Sequence, residues 1–271
     1  MSSKPSFSLK LLIPYNFIIS EPVPMISHLL LILSVVSTMK TELSFKQKQM
    51  LNPRVKLAYQ EKEKGMIENL KKHGIAVNTL EICLIAFKQE QLLELWGRNK
   101  GNREFKLIKE FTICASSGNI GPKRKEGDMQ VPEGFYQITH FNPESNFYLS
   151  LGLNYPNASD RILADKNHPG GSIYIHGNCV TIGCIPITDD LIKELYIYAL
   201  EAKNNKQDQI PVSIFPCRMN NENLELLRKQ YSSNKQLISF WENLKPGYNY
   251  FETHKNYPKV QVSADGRYSF Y

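Results

Sequence analysis

Ten residues, IHGNCVTIGC (175–184), hold a histidine, two cysteines, a threonine and two glycines. Three chemistries suit such a set. His176, Cys179 and Cys184 could ligate a metal, the two cysteines could pair as a disulfide, or a thiolate could attack with the imidazole as its base. Structural zinc usually recruits two tight cysteine pairs, and no second pair matches this one. A Cys179–Cys184 disulfide is sterically possible but would silence the best nucleophile. The chain has five cysteines, Cys83, Cys114, Cys179, Cys184 and Cys217. An odd count argues against a closed disulfide framework and leaves at least one thiol free.

The nucleophile reading uses more of the residues. A cysteine attacks as its thiolate, so it needs a base or a positive environment. In SIYIHG (172–177) alternation puts Ser172, Tyr174 and His176 on one face and Ile173 and Ile175 on the other, the core face. His176 is then expected at the end of a strand, facing outward. Gly177 lets the chain turn at once. Gly183 clears the approach to the Cys184 sulfur and lets backbone N–H groups converge on a developing oxyanion. A helix opening near Thr188, with Asp189 and Asp190 in its first turn, adds a modest favourable field for a thiolate. Taken singly, a buried cysteine or a strand-end histidine is ordinary core; the combination tips the reading toward catalysis.

The elements that must position this set are legible in outline. Residues 44–74 read as helix, with Asn52 as N-cap, Pro53 at the first helical position, Gly74 as the stop, and Leu57, Met66, Ile67 and Leu70 as a sparse apolar stripe. TLEICLIAF (79–87) and QLLELWG (91–97) read as a hairpin, and 104–115, 131–141, 171–177 and 210–216 as further strands. The run SSGNIGPKRKEGD (116–128) reads as a loop. Leu191, Ile192, Leu195, Ala199 and Ala202 recur at helical spacing. Residues 221–244 read as one or two amphipathic helices, and the remaining tail as aromatic and turn-rich. The fold class is therefore mainly β (α+β). The expected division is a targeting segment over 1–43, a helical flank over 44–78, a catalytic domain over 79–217 and a helical and aromatic extension over 218–271.

The formal charge is +7, with basic residues interspersed with acids. Such a surface suits an acidic polymer such as a cell wall as well as it suits nucleic acid. No nucleic-acid-binding signature accompanies it, so no nucleic-acid partner is expected. The run LLLILSVVST (29–38) is too short to span a membrane and has the length of a secretory h-region. Export to the periplasm or cell envelope is expected, with no stable membrane span after processing. Initiation at Met25 would give that h-region a more ordinary lead.

HGNCVTIGCIPITDD (176–190) resembles the catalytic signature of the L,D-transpeptidase (YkuD-type) family, a His-Gly pair followed by Ser/Thr-His-Gly-Cys. VPEGFY (131–136) is similar to the family's Thr-Pro-x-Gly-x-Phe/Tyr strand, SSGNIGP (116–122) to its Gly-bearing loop, and SIYIHG to the strand that ends in the base. The resemblance covers about 79–217 and leans toward the YafK-like branch of murein enzymes. It implies a YkuD-like β-sandwich or barrel core, with a helix after the catalytic cysteine and helical flanks. It also implies Cys184 as nucleophile, His176 as general base, Thr181 in the Ser/Thr place, and Gly183 with Cys184 as oxyanion donors. Tyr148, Asn154, Tyr155 and Gly177 would contact the acyl donor. Two positions depart from the pattern. Ile182 replaces the histidine before Gly-Cys, and Pro186 replaces a polar Arg or Asn, so Lys123, Arg124, Lys125 or Arg161 would have to meet the substrate carboxylate.

The chemistry implied is two-step acyl transfer on a peptidoglycan stem peptide, through a Cys184 thioester, without metal or cofactor. An amine acceptor, in one form a wall-attached protein, completes transpeptidation; water completes hydrolysis. An L,D-carboxypeptidase- or amidase-like murein hydrolase would use the same site. A non-catalytic cell-wall-binding module is the competing class, and a cytosolic cysteine hydrolase a further alternative.

Overall fold

The computed structural model describes residues 42–271. The h-region and the Met25 start lie outside the described residues. The first described elements are α1 (Phe45–Gln49) and α2 (Pro53–Lys72). The Asn52 side chain accepts the Arg54 N–H at 2.9 Å, Pro53 follows at the first helical position, and Gly74 (φ +69°) takes the left-handed turn that ends α2. The buried stripe of α2 is Val55, Ala58, Tyr59, Met66 and Leu70. Leu57 and Ile67 lie exposed, so only half of the expected stripe faces inward. The apolar count along α2 is too low to fix its phase; the contact with a later helix, over 188–204, sets it.

Ten strands follow. The main sheet has eight, in the order β3-β2-β1-β8-β4-β5-β6-β7. They are β1 (Leu80–Phe87), β2 (Leu92–Asn99), β3 (Lys106–Thr112), β4 (Gly134–Asn142), β5 (Ser150–Leu153), β6 (Tyr174–His176), β7 (Ile185–Pro186) and β8 (Ile210–Phe215). β1 and β2 form the expected antiparallel hairpin, with Phe87 opposite Leu92. β1 with β8, and β6 with β7, pair in parallel. The sheet curls until its edges meet, and the Cys114 N–H just past β3 donates to the Pro186 carbonyl of β7 at 3.0 Å. The expected α+β core with helical flanks is what forms.

Helices cover both faces. On one, α2 packs with α4 (Thr188–Asn204), whose residues Ile192, Leu195, Tyr196, Ala199 and Leu200 are fully buried. Glu201 of α4 accepts the Tyr59 hydroxyl at 2.8 Å and pairs with Lys46, tying the first two helices to the fourth. A short helix, α3 (Ala158–Leu163), is capped by Asn157. That side chain also donates to the Phe135 carbonyl and the Tyr268 hydroxyl at 2.9 Å each.

On the other face lie α5 (Asn221–Gln230), α6 (Lys235–His254) and a hairpin of β9 (Val260–Val262) with β10 (Tyr268–Phe270). The sequence reading ends the helices near 244, but α6 runs ten residues further, through Pro246. Proline there gives up one helix hydrogen bond. In return Trp241, Leu244, Tyr248 and Phe251 stay in one line and bury against Phe87, Trp96 and Phe215.

Candidate active site

The parallel pairing of β6 with β7 sets the geometry. Ile175 lies opposite Ile185 and His176 opposite Pro186. One step back in the same register brings Cys184 opposite Tyr174. Paired residues in a ladder project to the same face, so Cys184, Tyr174 and His176 share one, while Ile175 and Ile185 point into the core. Cys184 and His176 are diagonal neighbours on that face. His176 is not outward-facing as the strand alternation suggests: it is 1% exposed. Phe147, from the loop before β5, stacks on its ring at a centroid distance of 4.5 Å. The lid residue comes from a separate loop, so strand periodicity alone could not reveal it.

The His176 Nδ1 contacts the Gly177 carbonyl. A carbonyl only accepts, so Nδ1 carries the proton and Nε2 keeps a free lone pair. Burial lowers the imidazole pKa below its ordinary 6.5, with the Gly177 carbonyl opposing. Burial likewise raises the Cys184 thiol above 9.0, opposed by the Tyr174 backbone N–H and the Lys123 charge. The Cys184 thiol donates to the Ser172 carbonyl at 3.5 Å. At rest both groups are uncharged, the thiol turned to the Ser172 carbonyl and the imidazole with Nε2 unprotonated.

The loop before Cys184 is braced at several points. Thr181 Oγ1 donates to the Cys184 carbonyl at 2.8 Å and accepts the Gly183 N–H at 3.1 Å. The Gly183 N–H is therefore occupied inside the loop and is not free to serve an oxyanion in this conformation, contrary to the sequence expectation. Gly183 has φ +133°, and a Cβ there would stand 2.9 Å from the Gln130 carbonyl. Its glycine is needed for backbone shape and for close approach. At Gly177 a Cβ would stand 2.9 Å from the Phe147 carbonyl. The Asp189 carboxylate accepts the Asn178 N–H at 2.8 Å, fastening the loop to the start of α4.

Cys179 bonds neither to Cys184 nor to a metal. It forms a disulfide with Cys114, 65 residues away and just past β3. The Cys179–Cys184 pair and the three-ligand metal set weighed from the sequence are both ruled out by this bond. Cys184 is left as a free, partly exposed thiol, while the free Cys83 and Cys217 are buried.

The other sequence candidates scatter. Tyr148 (φ +72°) sits on the Phe147 loop, but its ring lies beneath Arg54 and Lys193, with centroid distances of 5.5 and 6.0 Å. Asn154 accepts the Gln137 N–H at 2.9 Å and lines a separate 490 Å³ pocket with Tyr257 and Lys259. Tyr155 is buried and donates to the Pro169 carbonyl at 2.9 Å, latching the loop before β6. Neither Asn154 nor Tyr155 lines a groove at Cys184; turn residues in sequence had suggested a rim, but both serve the turn itself. Arg161 is exposed on the last turn of α3. Lys123 is buried and ion-paired with Asp128 at 2.6 Å, and Arg124 reaches Asp160 at 3.4 Å; only Lys125 of that trio lies open.

Two supports escape the sequence reading. Arg54 of α2 donates to the Ser145 and Tyr148 carbonyls at 2.7 and 2.6 Å, fixing the loop that carries Phe147. Glu133, fully buried in VPEGFY, pairs with Lys88 at 3.0 Å and accepts the Trp241 indole N–H at 2.8 Å and the Gly121 N–H at 2.6 Å. A buried carboxylate with every partner supplied holds its loop rigidly. Glu133 within the motif was the available signal; Arg54 had none.

A cysteine and a histidine thus share one face of a parallel strand pair, in a loop wrapped by glycines. A family model described as the L,D-transpeptidase catalytic domain (YkuD) matches residues 81–214, and the chain belongs to that family. YafK of Escherichia coli K12, whose own assignment as an L,D-transpeptidase is provisional, is 39% identical over 184 residues, 67% of this chain and 70% of YafK. The O157:H7 protein matches equally. Among solved structures, the helical cell shape determining protein Pgp2 from Campylobacter jejuni aligns over 68% of this chain and 73% of its own, at 18% identity and a TM-score of 0.41. Bdellovibrio bacteriovorus Bd1075 aligns over 68% and 74%, at 22% identity and a TM-score of 0.36.

Proposed function

We propose that the protein is a cell-envelope cysteine acyltransferase acting on peptidoglycan stem peptides. The observation that carries this reading is the placement, on one face of the β6–β7 pair, of a free Cys184 thiol and a His176 whose tautomer leaves Nε2 basic, inside an L,D-transpeptidase domain. The thiol gives its proton to Nε2 as the sulfur attacks a stem-peptide carbonyl. The tetrahedral oxyanion is met by the Cys184 N–H, while Thr181 holds the loop in shape. The imidazolium returns the proton to the leaving amine, and a thioester remains on Cys184. An amine attacking that thioester gives transpeptidation; water gives hydrolysis. The apolar run at 29–38 supports export to the compartment where this polymer lies.

Incubation of the protein and of Cys184→Ala with a tetrapeptide muropeptide, followed by mass spectrometry of the products, tests the reading. Cross-linked or exchanged product from the native protein alone supports acyl transfer, and water-derived product alone would make the protein a hydrolase. Unchanged substrate with both proteins would sink the proposal.

A further inference from the structure

A void lined by Cys184, Val131 and Ile185 holds only about 10 Å³, too small for a peptide. A much larger groove of about 840 Å³ opens on the other side of Gln130, within the size range of ligand sites. Gln130 joins the two regions, since its carbonyl abuts Gly183 and the residue also lines the groove. The loop 120–124 forms one wall, and its Gly121 lies against Leu237 of α6. The opposite wall comes from the start of α6 and the turn of the β9–β10 hairpin, both beyond the family-matched residues 81–214. Its charge is lopsided. Lys235 and Arg267 line the groove against one carboxylate, Asp265, while Arg124, also in its lining, is already paired with Asp160. Asp265 is engaged by the Ser263 hydroxyl and the Arg267 N–H. Lys235 and Arg267 are exposed; the Arg267 guanidinium donates to the Ser239 hydroxyl at 3.2 Å and, after the Ser263 hydroxyl, its charge helps hold the Asp265 carboxyl below its ordinary range. The positive end of the α6 dipole adds to the same field.

We propose that this groove is a binding subsite for a carboxylate-bearing peptide, which Lys235 and Arg267 receive by charge. The inference rests on the proposed acyl transfer only for its purpose: it would hold the free-carboxylate portion of a stem peptide while another part reaches Cys184 past Gln130. The C-terminal extension then supplies the substrate-carboxylate contact that Pro186, in the catalytic loop, cannot make.

The test is calorimetric titration of the Cys184→Ala protein, which cannot turn over, with a disaccharide tetrapeptide and with the same compound amidated at its carboxylates. Lys235→Ala/Arg267→Ala and the charge-keeping Lys235→Arg/Arg267→Lys are compared on that background. Amidation and the alanine pair should each weaken binding about fivefold at low salt, as two exposed ion pairs would. The charge-keeping pair should restore it, and added salt should erase the difference. Equal binding throughout, or no binding at all, would overturn the proposal. Charge-dependent binding without acylation of the native protein would remove the proposed reaction and leave the groove standing. Acylation with no charge effect would do the reverse.

Discussion

Burial moves Cys184 and His176 in the same practical direction, because each is pushed toward its uncharged form. A preformed thiolate–imidazolium pair is thereby disfavoured at rest, and the proton moves during attack. Alkylation by iodoacetamide should be slow at neutral pH and accelerate only above the ordinary thiol value of 9.0. The acid limb of kcat/KM should fall below 6.5, the ordinary imidazole value. The stability sign follows from the same shift. The folded state binds the His176 proton less tightly than the unfolded chain. Stability from this group is therefore whole above 6.5 and declines as the pH drops through that value toward the lower folded pKa. A melting temperature that rose on acidification from 7 to 5 in the native protein but not in His176→Gln would contradict this. Gly183→Ala should be costly, since it forces a side chain to φ +133° and against the Gln130 carbonyl. A loss of about 1–3 kcal/mol is expected by denaturant titration. These residues stood out in sequence because His176, Cys184 and the two glycines lie within nine positions. The burial of His176 was not, since Phe147 reaches it from a distant loop.

The loop that leads to Cys184 is held from two sides by elements that have no reason to be recognised as partners in sequence. The Cys114–Cys179 bond staples it to the end of β3. Closing 65 residues restrains the unfolded chain by about 4 kcal/mol on the chain-entropy account. Cys114→Ser should therefore lower the melting temperature and slow acylation of Cys184 together; unchanged melting would contradict the staple. The cysteine count told only that some thiol stays free, because pairing across 65 residues depends on how the sheet curls. Arg54 acts from the other side through Ser145 and Tyr148 to Phe147 and so to His176. It is a positioning residue. Arg54→Ala should lower stability by about 1–3 kcal/mol and shift the acid limb of kcat/KM, whereas a purely structural role would leave that limb in place. The hairpin β1–β2, α2 and α4 were legible because local periodicity specifies them, with the Asn52 cap adding to α2, whereas α4 starts at Thr188 behind Ile187 without a side-chain cap. The length of α6 was not, since Pro246 reads as a stop and only the aromatic contacts beneath the helix carry it through.

Across the whole molecule the sheet has two covered faces, and the family-matched residues 81–214 supply most of only one cover, α4. The other belongs to α5, α6 and the terminal hairpin, with Trp241 buried completely and bonded to Glu133. Removing residues 218–271 would bare Phe87, Trp96, Phe135 and Phe215 and leave Glu133 short of a partner. A chain ending at 217 should be aggregated or unfolded by circular dichroism and light scattering; a soluble, cooperatively melting fragment would contradict this. The extension therefore belongs to the working protein, closing the sheet and walling the basic groove. The claim at the centre of the account remains the Cys184–His176 pair. Its most direct test is the intact mass of the reduced protein, quenched within seconds of mixing with a tetrapeptide muropeptide. The account predicts an acyl adduct that maps to Cys184, forms slowly or not at all in His176→Gln, and disappears under hydroxylamine as a thioester must. An adduct on another residue, or an equal rate without the imidazole, would contradict it.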